Sequence, residues 1–191
     1  MVGNDIVDIK EASLKSNWQR PRFLEKLFTL KEQQCIHDAE NSFLMVWRLW
    51  SMKEAAYKLF TQLQPSRFYN PKRFECTIDG LKGMVQFKDF VCYLNTEMTQ
   101  QYILSEARLD IKPMTSVGIH LESNEVKHQS ARLKEALISK VSKQYDVLKH
   151  EVKLVKSEFG IPLLYHNSKK LNIGMSLSHH GTYGTYAISK L

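Results

Sequence analysis

The spacing of hydrophobic and polar residues changes along the chain, and each change predicts a different element. Val2 to Ile9 alternates weakly between apolar and polar positions, which predicts a strand. The stretch from Glu40 to Leu63 contains neither Gly nor Pro and is apolar on most sides around its middle, which predicts one long, buried helix. Pro65 and Pro71 follow it and end the helical pattern.

After Pro71 the pattern becomes β-rich, with Asp79-Gly80 as a hairpin signal between the first two strands. The predicted strands are Phe74 to Ile78, Met84 to Phe87, Phe90 to Leu94, Tyr102 to Leu109 and Val117 to Leu121. Lys127 to Tyr145 has an apolar residue every four positions and predicts a helix, and two strands follow, at Glu151 to Val155 and Tyr183 to Ser189. A strand, helices, a strand meander, a helix and closing strands predict an α+β fold rather than a doubly wound α/β sheet.

Composition narrows the class of protein. The 191 residues are 43% hydrophobic, enough to bury a core. The longest apolar runs have five residues, so no segment is long enough to span a membrane. Asp5, Asp8 and Lys10 interrupt the N-terminus where a signal peptide would be apolar. Three cysteines without a Cys-x-x-Cys spacing argue against a disulfide framework. We therefore expect a soluble, cytoplasmic protein without a membrane partner.

The net charge of +7 is unevenly distributed. The segment from Lys127 to Lys156 contains eight basic and three acidic residues, so most of the excess positive charge lies there. Such a cluster attracts a nucleic acid, a polyphosphate cofactor or an acidic protein. A solvated helix face explains it equally well.

The predicted central helix carries two charges on its apolar surface. At 100° per residue, Glu54 and Lys58 lie on one line with Trp47, and Trp50 is close beside them. A salt bridge between residues four apart is the simpler explanation, and on an exposed helix it contributes little. On a buried helix, however, desolvation makes such a pair costly, which favours a functional role.

Two further polar clusters stand out. Gly3 to Asp8 contains two carboxylates, of which Asp5 lies between apolar residues inside the predicted strand. A turn or a helix N-cap would explain Asp8. The second cluster runs from Ser176 to Gly181 and contains adjacent histidines. Neighbours on a strand point to opposite faces, so the two histidines are weak support for a metal site, and the hydroxyls and imidazole could equally bind phosphate.

Together these clusters resemble the motifs of the 4′-phosphopantetheinyl transferases. The family's G-x-D strand, W-[SA]-x-K-E-A-x-x-K helix and S-x-S-H strand correspond to Gly3-Asn4-Asp5, Trp50 to Lys58 and Ser176 to His179. The motif order is that of the small, trimeric holo-acyl-carrier-protein synthases. The tryptophan form of the helix motif, the β-rich stretch and the segment after Lys127 instead resemble the two-lobed, surfactin-synthetase-activating type. The resemblance thus implies a circularly permuted two-lobed protein, with pseudo-symmetric lobes at residues 1–122 and 123–191, each a small antiparallel sheet packed on a helix, and a monomeric state.

The resemblance implies Mg²⁺-dependent transfer of 4′-phosphopantetheine from coenzyme A to a serine of an acidic acyl, polyketide or peptidyl carrier protein, with release of adenosine 3′,5′-bisphosphate. Asp5 and Glu54 match the family's metal-binding acids. A further acid of the two-lobed type is Val7 here, whereas Asp8 matches an acid of the small type. Glu54, or a water it holds on the metal, would take the serine proton. Lys58 would lie against the pyrophosphate and Lys53 would be structural or cofactor-supporting.

For the cofactor, the resemblance implies contacts from Ser178 and His179 to phosphate, with Phe159 and Gly160 near the adenine. Two family lysine or arginine positions are Ile161 and Gln129 here, and His128 and Arg132 lie close enough on the helix to compensate. The alternative function is a coenzyme A- or nucleic-acid-binding module without transferase activity. Such a module explains the basic cluster but leaves Glu54 and Lys58 unexplained, and we expect no nucleic-acid partner.

Overall fold

A computed structural model describes residues 1–123 and 125–190 of the chain. Asn124, which lies beside the predicted lobe boundary, and Leu191 are outside the described residues. The fold is α+β, as the sequence predicts, and its strands pair antiparallel throughout the three described sheets.

The first sheet has five strands in the order β1-β5-β4-β3-β2. Its strands are β1 (Gly3–Asp8), β2 (Glu75–Asp79), β3 (Lys82–Phe87), β4 (Phe90–Met98) and β5 (Tyr102–Arg108). The Asp79-Gly80 signal is confirmed as the turn of the β2–β3 hairpin, because Gly80 has a φ of +54° that a side chain would disfavour.

Four helices accompany this sheet: α1 (Ile9–Lys15), α2 (Phe23–Leu27), α3 (Leu30–Asp38) and α4 (Ser42–Leu63). Side chains cap the starts of α1, α3 and α4. The Asn41 side chain accepts from the Leu44 amide at the start of α4, and Thr29 and Glu32 form a capping box at the start of α3. The long helix packs Met52, Ala55, Ala56 and Leu59 into the core beneath the sheet. The predicted long, buried helix is therefore confirmed.

The second lobe is built on α5 (Val126–Tyr145) and two three-stranded sheets, with strand orders β10-β11-β6 and β7-β8-β9. Their strands are β6 (Ile119–His120), β7 (Val152–Lys156), β8 (Pro162–His166), β9 (Lys169–Lys170), β10 (Ile173–His180) and β11 (Tyr183–Lys190). Leu137 and Val141 of α5 pack against Val152, Leu164 and Met175 from both sheets. Two short 3-10 helices, Pro71–Arg73 and Lys149–Glu151, complete the described elements.

One strand crosses between the predicted lobes. β6 precedes the boundary at residue 122, but Ile119 and His120 pair with Gly184 and Tyr183 of β11. The final strand of the predicted meander therefore joins the sheet of the second lobe. The exact boundary and the circular permutation stay predictions.

The lobes meet where β10 packs against β1, which lies at the edge of the five-stranded sheet. An edge strand leaves backbone groups unpaired, and side chains of β10 satisfy two of them. The Asn4 amide donates to Ser176 Oγ at 3.0 Å, and the Asp8 amide donates to His180 Nδ1 at 3.0 Å. The Asp5 carboxylate lies between these two contacts along β1.

Candidate active site

The glycine of the first motif brings β1 against the backbone of α4. A Cβ on Gly3 would lie 2.0 Å from the Ala55 carbonyl oxygen and 2.7 Å from the Leu59 amide, so any side chain would force the strand and helix apart. Ser51 Oγ also donates to the Asp5 carbonyl at 3.2 Å. These contacts place Asp5 beside the charged face of α4.

Lys58 is paired with Asp5 rather than with Glu54. Its Nζ donates to Asp5 Oδ1 at 2.9 Å and to the Asn4 carbonyl at 3.0 Å. Within the described residues no ion pair joins Glu54 and Lys58, so the simple salt bridge along the helix does not form. The contact joins the first two motifs through residues that are 53 positions apart in sequence.

Glu54 is the strongly perturbed acid of this group. Burial raises the pKa of its carboxyl, the nearby Asp5 carboxylate raises it further, and Lys58 partly opposes both, so that the pKa is about 7. The hydroxyl of Tyr69, a half-buried residue whose ring centroid is 4.3 Å from that of Tyr57, lies beside the same carboxyl. Two acids therefore lie close enough to repel each other, and a bound cation would relieve that repulsion.

Lys53, the neighbouring lysine of the same motif, has a structural position. It is fully buried, and its Nζ donates to both oxygens of Glu32 at 2.8 Å, to the Phe74 carbonyl at 2.6 Å and to the Pro71 carbonyl at 3.0 Å. The structure therefore brings Lys58, but not Lys53, to the acids.

The S-x-S-H motif lies on β10, and its side chains lie on the two opposite faces of this strand. Ser178 Oγ donates to Asp5 Oδ1 at 2.7 Å, whereas His179 is on the opposite face of the strand. His179 lines a cleft of about 330 Å³ between α4 and the second lobe. Burial lowers the pKa of His179, and the positive charges of Lys58 and Lys156 lower it further, so an anion in the cleft would relieve their repulsion.

Both lobes contribute to this cleft. The first-lobe lining is Tyr57, Lys58, Thr61 and Gln62 of α4. The second lobe adds Phe159 and Gly160 from the loop after β7, with α5 and β10 forming the remaining walls. The predicted cofactor residues His179, Lys58, Phe159 and Gly160 therefore share one cavity. Ser178 does not line it within the described chain.

The comparison with protein families decides the chain's membership. The model of the 4′-phosphopantetheinyl transferase superfamily, ACPS, matches residues 1–106, which contain β1, α4 and both their motifs. The chain belongs to this superfamily. No curated protein sequence matches it significantly.

Among solved structures, an apo-ACPS structure from Chronobacterium ammoiniagenes is similar to this chain. The two share 18% sequence identity with a TM-score of 0.46, over 56% of this chain and 93% of the other. A structural similarity at this level supports no conclusion about function. That conclusion rests instead on the family model and on the geometry of this chain.

Asp8, whose position resembles that of an acid in the small type, caps a helix. It accepts from the Glu11 amide at 3.0 Å at the start of α1 and from the amide and hydroxyl of Thr182 at 2.8 and 2.9 Å. Gly181 makes room for it, because a Cβ there would lie 2.3 Å from Asp8 Oδ2. The N-cap explanation of Asp8 agrees with these contacts.

Two predicted phosphate residues lie outside the cleft. His128 Nδ1 is 3.4 Å from Glu125 and Arg132 is 3.4 Å from Glu135, with all four side chains largely exposed. Gln129 is buried and donates to the Ser123 and Gly181 carbonyls at 2.9 and 2.5 Å. The structure thus does not bring His128 or Arg132 to His179.

Two lysines that the sequence did not single out line the cleft instead. Lys134 on α5 and Lys156 at the end of β7 lie there with Lys58 and His179. Both belong to the basic cluster, but nothing in its spacing distinguishes them from the other six basic residues. Only the packing of α5 and β7 around the cleft selects them.

The described residues contain no group of three His, Cys, Asp or Glu side chains placed to hold a metal. Asp5 and Glu54 are only two such residues and therefore do not form a group of this size. None of the described helices is long and apolar enough to cross a membrane.

Proposed function

We propose that this superfamily member transfers 4′-phosphopantetheine from coenzyme A to a serine of an acidic carrier protein. The observation that supports this most is the convergence of Asp5, Glu54 and Lys58 beside a cleft lined by His179, Lys134 and Lys156. A nucleotide substrate with a pyrophosphate and a ribose 3′-phosphate fits a cavity with four basic side chains and a half-exposed aromatic ring, Phe159, at its edge.

Asp5 and Glu54 fit a magnesium ion. Both supply hard oxygen donors, their mutual repulsion favours a cation, and Mg²⁺ commonly takes only one or two protein carboxylates together with water and substrate phosphate. When bound, such an ion neutralises charge on the pyrophosphate.

In the proposed reaction, the serine hydroxyl attacks the β-phosphorus of coenzyme A. Glu54, or a water that it holds, takes the hydroxyl proton as the general base. The bond from the β-phosphorus to the bridging oxygen breaks, and adenosine 3′,5′-bisphosphate leaves. Lys58, which lines the cleft and contacts Asp5, offsets the charge that develops on the leaving group.

Two further features belong to the proposal. The cleft forms between lobes of one chain, which supports a monomeric enzyme. The three free cysteines suit a reducing compartment, so we place the reaction in the cytoplasm.

The test is mass spectrometry of candidate apo carrier proteins after incubation with the enzyme, coenzyme A and Mg²⁺. We expect one phosphopantetheine added at a single serine of at least one carrier, and none when EDTA replaces Mg²⁺. Asp5→Asn is the matched control, since it keeps the size of the side chain. Tight binding of coenzyme A without modification of fatty-acid, polyketide or peptide carriers would instead support a binding module.

A further inference from the structure

The S-x-S-H strand presents alternate side chains to two different sites. Ser176 and Ser178 lie on the face of β10 that packs on β1, where Ser176 accepts from the Asn4 amide and Ser178 donates to Asp5. Ser176 also borders the cleft, whereas Ser178 does not line it. His179 lies on the other face and lines the cleft. The motif's serine and histidine therefore serve different groups.

The Ser178 hydroxyl is committed to a carboxylate. The side chain is buried, with 8% of its surface exposed, and its 2.7 Å bond to Asp5 Oδ1 has the length of a charge-assisted hydrogen bond. A serine hydroxyl has one proton to donate. While the Ser178 hydroxyl donates its proton to Asp5, it cannot donate the same proton to a phosphate oxygen.

The same contact fixes which oxygen of Asp5 is available. Oδ1 accepts from both Ser178 Oγ and Lys58 Nζ, at 2.7 and 2.9 Å. Oδ2 accepts no hydrogen bond from the described residues. The two donors come from β10 and α4, so the carboxylate is held from both lobes at once.

We propose that Ser178 is a positioning residue for Asp5, which holds the carboxylate with Oδ1 occupied and Oδ2 free for a divalent cation. The inference rests on the proposed function, and it differs from the phosphate contact that the family resemblance implies for Ser178. Hydrogen bonds to a metal-binding carboxylate commonly change metal affinity by about 10- to 100-fold.

The test measures cation and coenzyme A binding separately. Mn²⁺ is titrated into the protein without coenzyme A and followed by the EPR signal of free Mn²⁺, and coenzyme A is titrated by calorimetry in EDTA. Ser178→Ala should weaken Mn²⁺ binding about 10-fold or more and leave the coenzyme A dissociation constant within about twofold, because Ser178 does not line the cleft. In steady-state kinetics of this variant, kcat should fall, while the KM for coenzyme A should stay unchanged.

Two controls separate the hydroxyl from its surroundings. Ser176→Ala removes the neighbouring serine without touching Asp5, so its Mn²⁺ affinity should equal that of the wild type. Ser178→Thr and Ser178→Val have nearly the same shape, but only Thr keeps the donor. Thr should bind Mn²⁺ more tightly than Val even if both lose some stability.

Wild-type Mn²⁺ affinity in Ser178→Ala, or equal affinities in the Thr and Val variants, would overturn the inference. So would a loss of coenzyme A affinity in EDTA with Mn²⁺ binding unchanged, since Ser178 would then contact the phosphate. A wild-type protein that modifies no carrier would contradict the proposed function instead, and the two binding measurements would still test the role of Ser178.

Discussion

The ammonium group of Lys53 lies 2.8 Å from both carboxylate oxygens of Glu32, in the core between α3 and α4. Glu32 also caps α3 through the Thr29 amide and accepts from the Cys76 amide at the start of β2. One buried ion pair therefore fixes a helix start, the long helix and the first strand of the meander relative to each other.

Removing the cation should destabilise the protein strongly. Lys53→Met leaves the Glu32 charge buried without its partner, and we expect the free energy of unfolding to fall by about 3–5 kcal/mol. Urea denaturation followed by circular dichroism measures it. Lys140→Met, at an exposed position on α5, is the control and should change stability by less than about 0.5 kcal/mol. Equal effects of the two substitutions would contradict a structural role for Lys53.

The Asp8 carboxylate should stabilise the lobe contact in a pH-dependent way. Burial alone would raise its pKa, but hydrogen bonds from Thr182 and from the Glu11 amide outweigh it, and the pKa lies below its ordinary value of 3.8. The stabilisation is therefore complete above about pH 4 and is lost as the pH falls through the lowered pKa. At pH 7, Asp8→Ala should cost about 2 kcal/mol, as for a lost helix cap with further hydrogen bonds.

Denaturation of the wild type and Asp8→Ala at pH 7 and about pH 3 tests this. The difference in stability between the two proteins should shrink in acid. Ser13→Ala is a useful control, because Ser13 is an exposed residue of the same short helix whose hydroxyl bonds only to the Lys10 carbonyl. A difference that is the same at both pH values would mean that the carboxylate contributes no charge-dependent stability.

The sequence predicted the long helix and the N-terminal strand, and it missed elements that are short or that depend on long-range contacts. The helix α4 and the strand β1 follow from pattern alone, whereas α1 and α2, with seven and five residues, are too short to have one. The pairing of β6 with β11 depends on residues more than 60 positions apart, which no local pattern records.

The candidate site shows the same division. The helical period and the family motifs indicated Glu54 and Lys58, but the pairing of Lys58 with Asp5 needs the close approach of β1 and α4 at Gly3. Lys134 and Lys156 were not distinguishable from other lysines, because only the cleft between the lobes selects them. The charge of the sequence identified the basic cluster but not the lysines of that cluster that line the cleft.

Substitutions of the acidic pair and of Lys58 should separate chemistry from folding. Asp5→Asn and Glu54→Gln keep the side-chain size and should abolish Mg²⁺-dependent transfer while the circular dichroism spectrum stays unchanged. Lys58→Ala should raise the activation barrier by about 2–4 kcal/mol, as the loss of a charge-stabilising donor does. Single-turnover rates by mass spectrometry measure these effects. Turnover at the wild-type rate in Asp5→Asn or Glu54→Gln would contradict the assignment.

The assembly should be monomeric, because both walls of the cleft belong to one chain. Light scattering at the working concentration should give the mass of a single chain of 22.3 kDa. A stable trimer would mean that neighbouring chains complete each site, and residues 74–122 would then be an insertion in a single-lobed enzyme.

Coenzyme A and the carrier protein should use different members of the basic cluster. His179, Lys134 and Lys156 line the cleft, whereas Lys140 and Lys143 do not, and Lys143 lies about 180° round α5 from Lys134. His179→Ala and Lys156→Ala should weaken coenzyme A binding, because each removes a group that faces the anion.

Charge reversal at Lys140 and Lys143 should instead act on the carrier. Acidic partners associate faster with a basic surface, and this gain falls as salt screens the charges. The double variant should therefore raise the carrier KM and flatten its dependence on salt, with little change in the coenzyme A dissociation constant. Calorimetry for coenzyme A and steady-state kinetics at several salt concentrations measure both. If His179→Ala left coenzyme A affinity unchanged, or if the double variant weakened coenzyme A as much as the carrier, this division of the basic cluster would be wrong.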